Sequence, residues 1–155
     1  MPMVMFYHLT RSSPEQTLAI LLRRSLEAGW RVMVRGTDQG GLERLDAALW
    51  QGPEDSFLPH GLQGGAQDAL QPVLLGQGAI GNSAQALLLI DAAQTTTIEV
   101  TAFERLMVLF DSANEQALAS ARALWATLTS AGLPAQYWSE EAGSWQMKSE
   151  RKPVQ

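Results

Sequence analysis

The chain has 155 residues, about the size of one domain, with 46% hydrophobic and 17% charged residues, a composition that packs a core and excludes both a disordered chain and a disulfide-stapled mini-protein. Lys and Arg number 11 against 16 Asp and Glu, and a net charge of −5 argues against a duplex-DNA binder that works by counterion release. Zero cysteines remove disulfides, thiolate nucleophiles and Cys-ligated zinc, and 2 histidines leave little material for a metal centre.

No opening segment joins a basic stretch to a long apolar run, and the apolar run near residue 90 falls far short of the roughly 18 residues that span a bilayer. A soluble, cytoplasmic protein in a reducing compartment is the expectation.

Val4 to Leu9 is a short apolar run with aromatics, stopped by Thr10-Arg11-Ser12-Ser13-Pro14, and reads as a first strand. Ser13 is placed to cap a helix with Pro14 at its first position and Glu15 in its first turn. Leu18, Leu21, Leu22 and Leu26 then recur at helical spacing up to Gly29. Trp30 to Arg35 reads as a second strand, with Val32 and Val34 on one face and Arg31 and Arg35 at its rims. Strand, helix, strand with a crossover of this length predicts parallel pairing and a right-handed connection.

Asp38 can cap a second helix running to Trp50, its apolar side made of Leu42, Leu45, Leu49 and Trp50, with Glu43, Arg44 and Asp46 outward and Gly52-Pro53 as its stop. Residues 51–86 are rich in proline and glycine and read as loops, with a short strand at Pro72 to Leu75. The continuous run Ala86 to Ile90 predicts a strand covered on both faces, near the sheet centre. Leu106 to Phe110 is another such run, and Asp111-Ser112 is placed to cap a helix from about Ala113 to Ala131, closed by Gly132-Leu133-Pro134. Tyr137-Trp138 fits a last edge strand, and the polar composition from Ser139 predicts a mobile tail. The resulting class is α/β: one three-layer domain over residues 1–138, Rossmann-like, with a mostly parallel, mixed-edge central sheet flanked by helices, followed by the tail 139–155.

Chemical motifs are sparse. Gly76-x-Gly78-x-x-Gly81 spells a dinucleotide fingerprint, but Asn82-Ser83-Ala84-Gln85 leads straight into the next strand and leaves no room for the helix that the fingerprint needs. It reads as a turn-rich loop, and a nucleotide-binding enzyme using it, with His60 as acid or base, is the alternative function. His60 lacks a recognisable nucleophile or carboxylate partner and reads as a loop histidine bonded to backbone; His8, within the first strand, reads as structural. Asp38, Asp46, Asp55 and Asp91 are spaced as caps and turn residues. No catalytic residue, cofactor or metal ligand emerges. The 5 tryptophans do stand out: Trp50 and Phe57 flank a loop, and Trp125 shares a helix with Arg122. Trp with Arg is a frequent composition of protein-binding anchors. A direct single-strand binder that stacks bases on Trp50 and Trp125 is a further, weaker alternative.

The ordered set Phe6-Tyr7-x-Leu9, Arg31-Val32-x-Val34, Asp38, Leu45-Asp46-x-Ala48-Leu49-Trp50 and Phe57-x-Pro59-His60 resembles the chi subunit of bacterial DNA polymerase III holoenzyme. The likeness is specific over residues 6–60 and looser through Pro72-Val73, Leu87 to Ile90, Phe103 and the helix that carries Arg122. It implies a domain without catalysis of its own, acting as an adaptor in the clamp-loader assembly during DNA replication, with no direct nucleic-acid or membrane contact. One implied face receives the psi subunit at Trp50, Phe57, Pro59 and His60. The other receives the acidic carboxy-terminal tail of single-stranded DNA-binding protein at Arg122, Trp125 and Leu118. Arg122 and Trp125, at i and i+3, set a guanidinium and an indole on one helix face, suited to a carboxylate behind an apolar side chain. Leu118 departs from the family pattern, which has a second basic residue there; Arg105 or an arginine from the amino-terminal half is the expected substitute.

Overall fold

Apolar runs become strands of a single sheet in the computed structural model, which describes residues 2–51, 58–141 and 143–152. Chain order is β1 (Met3–Leu9), α1 (Pro14–Glu27), β2 (Val32–Arg35), α2 (Gln39–Trp50), β3 (Gly61–Leu62), β4 (Val73–Gly76), β5 (Ala86–Leu89), α3 (Thr97–Val100), β6 (Arg105–Asp111), α4 (Glu115–Ser130), β7 (Ala135–Ser139) and β8 (Gln146–Arg151). The sheet runs β3-β4-β2-β5-β6-β1-β7-β8, parallel throughout except for the antiparallel β7–β8 pair. The α/β class, the three layers and the mixed edge are as expected.

The helices begin where short polar side chains satisfy free N–H groups. Ser13 Oγ accepts from Gln16 N at 3.2 Å to start α1, and Asp38 accepts from Gly41 N at 3.1 Å to start α2. Two apolar clusters sit on the two faces of the sheet. Leu18, Leu21 and Leu22 of α1 and Leu42 and Leu45 of α2 meet Val32, Val34, Leu75 and Leu88 on one side. Ala117, Ala121, Leu124 and Leu128 of α4 meet Val4, Phe6, Leu106 and Val108 on the other. In β2, β4 and β5 every residue is buried, which is why these strands read as unbroken apolar runs.

Four expectations need correction. The cap of α4 is Asn114, whose side chain accepts from Ala117 N at 3.0 Å; Asp111 instead accepts from Ala113 N in the turn before it. Arg35 is no rim residue but is 9% exposed, because its guanidinium meets Glu99 in a two-point contact of 2.6 and 2.9 Å. Trp50 does not belong to the buried side of α2 and is 50% exposed. Finally, β7 is no edge: Gln146–Arg151, inside the stretch expected to be a mobile tail, forms β8 against it. That strand is polar and largely exposed on both faces, so it lacks the period-2 apolar signal, and its Lys148, Glu150 and Arg151 suit a sheet edge that must not pair with another chain.

The turn after β7 is anchored by a buried carboxylate. Glu140 accepts from the backbone N–H groups of Thr10, Arg11 and Ser12 at 3.0, 2.8 and 2.6 Å, and from Ser12 Oγ at 2.7 Å. Burial alone would raise its carboxyl, but the bonds from Ser12, Arg11 and Thr10 outweigh burial and hold it at about 2. A folded value below the unfolded one means that Glu140 stabilises the fold fully above about pH 4.5 and loses this contribution as pH falls toward 2. Glu140→Gln is therefore expected to destabilise by about 1–3 kcal/mol at pH 7, as for loss of hydrogen bonds to a charged group. The gap to wild type should shrink in urea melts at pH 3, and an equal gap at both pH values would contradict the assignment.

Candidate functional site

On α4 the buried stripe is flanked by a second one, Leu118, Arg122, Trp125 and Thr129, generated by the same 4-3-4 spacing displaced by one residue. Leu118 and Trp125 are half-buried against the core cluster beneath α4, whereas Arg122 is exposed. The Trp125 indole stands edge-on to Phe6 at 5.3 Å and to Tyr137 at 6.2 Å. Tyr137 bonds through its hydroxyl to His8 Nδ1 at 2.9 Å, and the His8 ring stacks on Phe110 at 5.0 Å. Burial raises the Tyr137 phenol, and the nearby Arg122 charge opposes that rise. Among the described residues no carboxylate lies within ion-pair distance of Arg122. Together Leu118, Trp125 and Tyr137 form a half-buried aromatic and aliphatic patch beside an exposed guanidinium that has no ion-pair partner among the described residues.

Leu118, Arg122 and Trp125 thus come together as expected, joined by Tyr137 and His8, which were not singled out for it. Those two are set by β1 and β7 alternation: Phe6, His8 and Tyr137 point to α4 while Tyr7 and Trp138 point the other way. Arg105, expected as a substitute for the second basic residue, does not stand beside Arg122. Arg105 lies across the sheet, 5.0 Å over the Trp30 ring. Arg31, Arg35 and Arg44 are engaged by Ala69 O, Glu99 and Asp38.

The second surface sits at the end of α2, on the opposite face of the sheet. His60 is 3% exposed; its Nδ1 is 2.6 Å from Leu58 O, and its Nε2 is 3.0 Å from Asp46 O and 3.2 Å from Asp46 Oδ1. With both ring nitrogens engaged, His60 is a structural post. The half-exposed Trp50 indole packs on it at 4.1 Å between centroids, with Pro59 part-buried beside it in sequence. Phe57 lies outside the described residues. Trp50, Pro59 and His60 make an apolar surface on a rigid support.

The loop Gly76 to Gly81 is filled from within. Gln63 Oε1 accepts from Gly78 N at 3.2 Å, Gln63 Nε2 donates to Ala79 O at 2.8 Å, and a Cβ at Gly76 would collide with the Gln63 side chain. Its glycines make room for a glutamine, and no helix intervenes before β5. The crevice between β1 and β6 is the position where connections diverge to opposite faces and where open parallel sheets bind anionic ligands. The N–H groups of residues 10–12, which follow β1 at that end of the sheet, hold Glu140 from the turn after β7. Among the described residues no three His, Asp or Glu side chains are grouped to hold a metal, and no helix is long and apolar enough to cross a membrane.

A family model described as DNA polymerase III chi subunit, HolC, matches residues 1–136. The DNA polymerase III subunit chi of Escherichia coli (strain K12) is 38% identical over 53 residues, which are 34% of this chain. That match spans about a third, 36%, of the relative's own length. The family match takes in β1 to β6, all four helices and the start of β7, and the chain belongs to the DNA polymerase III chi subunit family.

Proposed function

We propose that this chain is a non-catalytic, cytoplasmic adaptor of the DNA polymerase III clamp-loader assembly that links psi, bound at Trp50, Phe57, Pro59 and His60, to the acidic carboxy-terminal tail of single-stranded DNA-binding protein, bound at Leu118, Arg122 and Trp125. Family membership supports a role in DNA replication together with DNA polymerase III components. The observation that carries the finer reading is the notch on α4: an exposed Arg122, one turn from the half-buried Trp125, with no ion-pair partner among the described residues. A terminal carboxylate behind an apolar side chain matches it, because the guanidinium grips the carboxylate through two bonds while the side chain enters between Trp125 and Leu118. Leu118 contributes apolar wall where a second charge would stand, so a single arginine carries the anion. The two surfaces lie on opposite faces of the sheet, and two partners can be held at once. DNA is reached through the tail-bearing partner, which fits a net charge of −5.

Arg122→Ala should weaken binding of the tail peptide by about 1–3 kcal/mol in a calorimetric titration, and binding by wild type should fall as salt rises. Equal affinities would remove the tail from this notch. Trp50→Ala should cost about 2 kcal/mol or more of affinity for psi, as for a central aromatic anchor, and leave tail binding intact. Unchanged capture of psi by the purified variant would contradict that face.

A further inference from the structure

Neither proposed surface uses the groove beside α1. Beside α1, on the face opposite the Arg122 notch, a groove of about 1040 Å³ is floored by Met5, Tyr7, Met107 and Trp138. Trp145 and Trp30 close its ends, and its far wall includes Ala48, Leu49 and Leu58, next in sequence to Trp50 and Pro59. On the other side of the sheet the strand pair β1–β6 is covered by α4. On this side α1 lies over β2 and β6, and the groove opens beyond it. A mostly parallel sheet is ordinarily covered by helices on both faces; the floor here is apolar, and among the described residues no helix covers it.

We propose that this groove receives an α-helix from a partner protein, apolar along its centre and acidic on its flank. Strand addition has no place here, because β1 is paired on both sides by β6 and β7, and β7 is paired in turn by β8, so the floor offers no strand edge. A segment lying there must satisfy its own N–H and C=O groups, and a helix does so. The charge argument fixes its sign. Among the described residues, Arg23, Arg24 and Arg105 line the groove against one acidic side chain, Glu15. None of the three arginines has an ion-pair partner among the described residues, and Arg105 Nε is buried without a hydrogen-bond acceptor. Arg24 and Arg105 line the groove together with Tyr7, whose phenol is raised by burial against the opposing charge of Arg105 and Arg24.

Single-stranded nucleic acid fits less well. The Trp30 ring is covered by the Arg105 guanidinium at 5.0 Å, and Trp145 meets Tyr7 edge-to-face at 5.9 Å, so these rings are already committed and are not open platforms for bases. Ile20, 47% exposed on α1, supplies an apolar rim for a helix to lean on.

The test titrates the whole protein, by tryptophan fluorescence at low salt, with a helical peptide of about five turns that carries a leucine seam and glutamate flanks. A twin with lysine for glutamate and an oligo-thymidine serve as the other probes. The acidic peptide is expected to bind. Affinity should drop at least about tenfold in an Arg23→Glu/Arg24→Glu variant and in Ile20→Asp, with no change in Arg122→Ala. All of these side chains are solvent-accessible, and circular dichroism melts establish that each variant is folded. Absence of binding by the acidic peptide, equal binding of the lysine twin, preference for the oligonucleotide, or self-association that occludes the groove in sedimentation would each overturn the proposal.

Discussion

The carboxylate of Glu140, closed over three consecutive backbone N–H groups at the end of β1, ties the last third of the fold to its first strand across about 130 residues of chain. β7 lies in register along β1, Val4 opposite Ala135 and His8 opposite Ser139, and the clamp sits one residue past that register. This seating decides which residues face which layer. It puts Tyr137 beneath α4, where it meets Trp125 and feels Arg122, and it turns Trp138 toward the groove beside α1. A slip of one residue would exchange these faces and dismantle the notch and the groove together. The same interaction closes the backbone N–H groups that follow β1 and so completes the fold.

The molecule places several of its large aromatic side chains at its surface. Its large aromatics are poised half-buried, with rings oriented by neighbours: Trp50 on His60, Trp125 on Phe6, Trp145 on Tyr7. Orientation before binding lowers the entropy lost on association. The net charge is −5, yet Arg122 stands exposed on α4 and Arg23, Arg24 and Arg105 line the groove, so positive charge is local in an acidic chain.

Much of the architecture was legible in the residues. β2, β4 and β5 are covered on both faces, so nothing interrupts their apolar runs, and Ser13 and Asp38 announce α1 and α2 through capping chemistry that acts locally. What escaped depends on distant partners. β3 is only 2 residues long, α3 only 4, and β8 is polar along both faces; each exists because a neighbour supplies hydrogen bonds or cover. Arg35 looks like a strand terminus until Glu99 folds onto it. Of the candidate sites, the Arg122–Trp125 pair was visible because helical spacing alone places i and i+3 together. Tyr137 and His8 were not, because their membership follows from strand register. The groove was invisible for the same reason, since it joins residues from both ends of the chain.

The central claim, that α4 presents a dock for an anionic peptide end, is tested most directly by heteronuclear NMR with the tail peptide of single-stranded DNA-binding protein, using the 5 indole N–H signals as reporters. The account predicts that the Trp125 indole and the backbone around Arg122 and Tyr137 shift on titration while the signals of Trp30, Trp50, Trp138 and Trp145 stay in place. Shifts that cluster on those other indoles, with Trp125 unmoved, would contradict it.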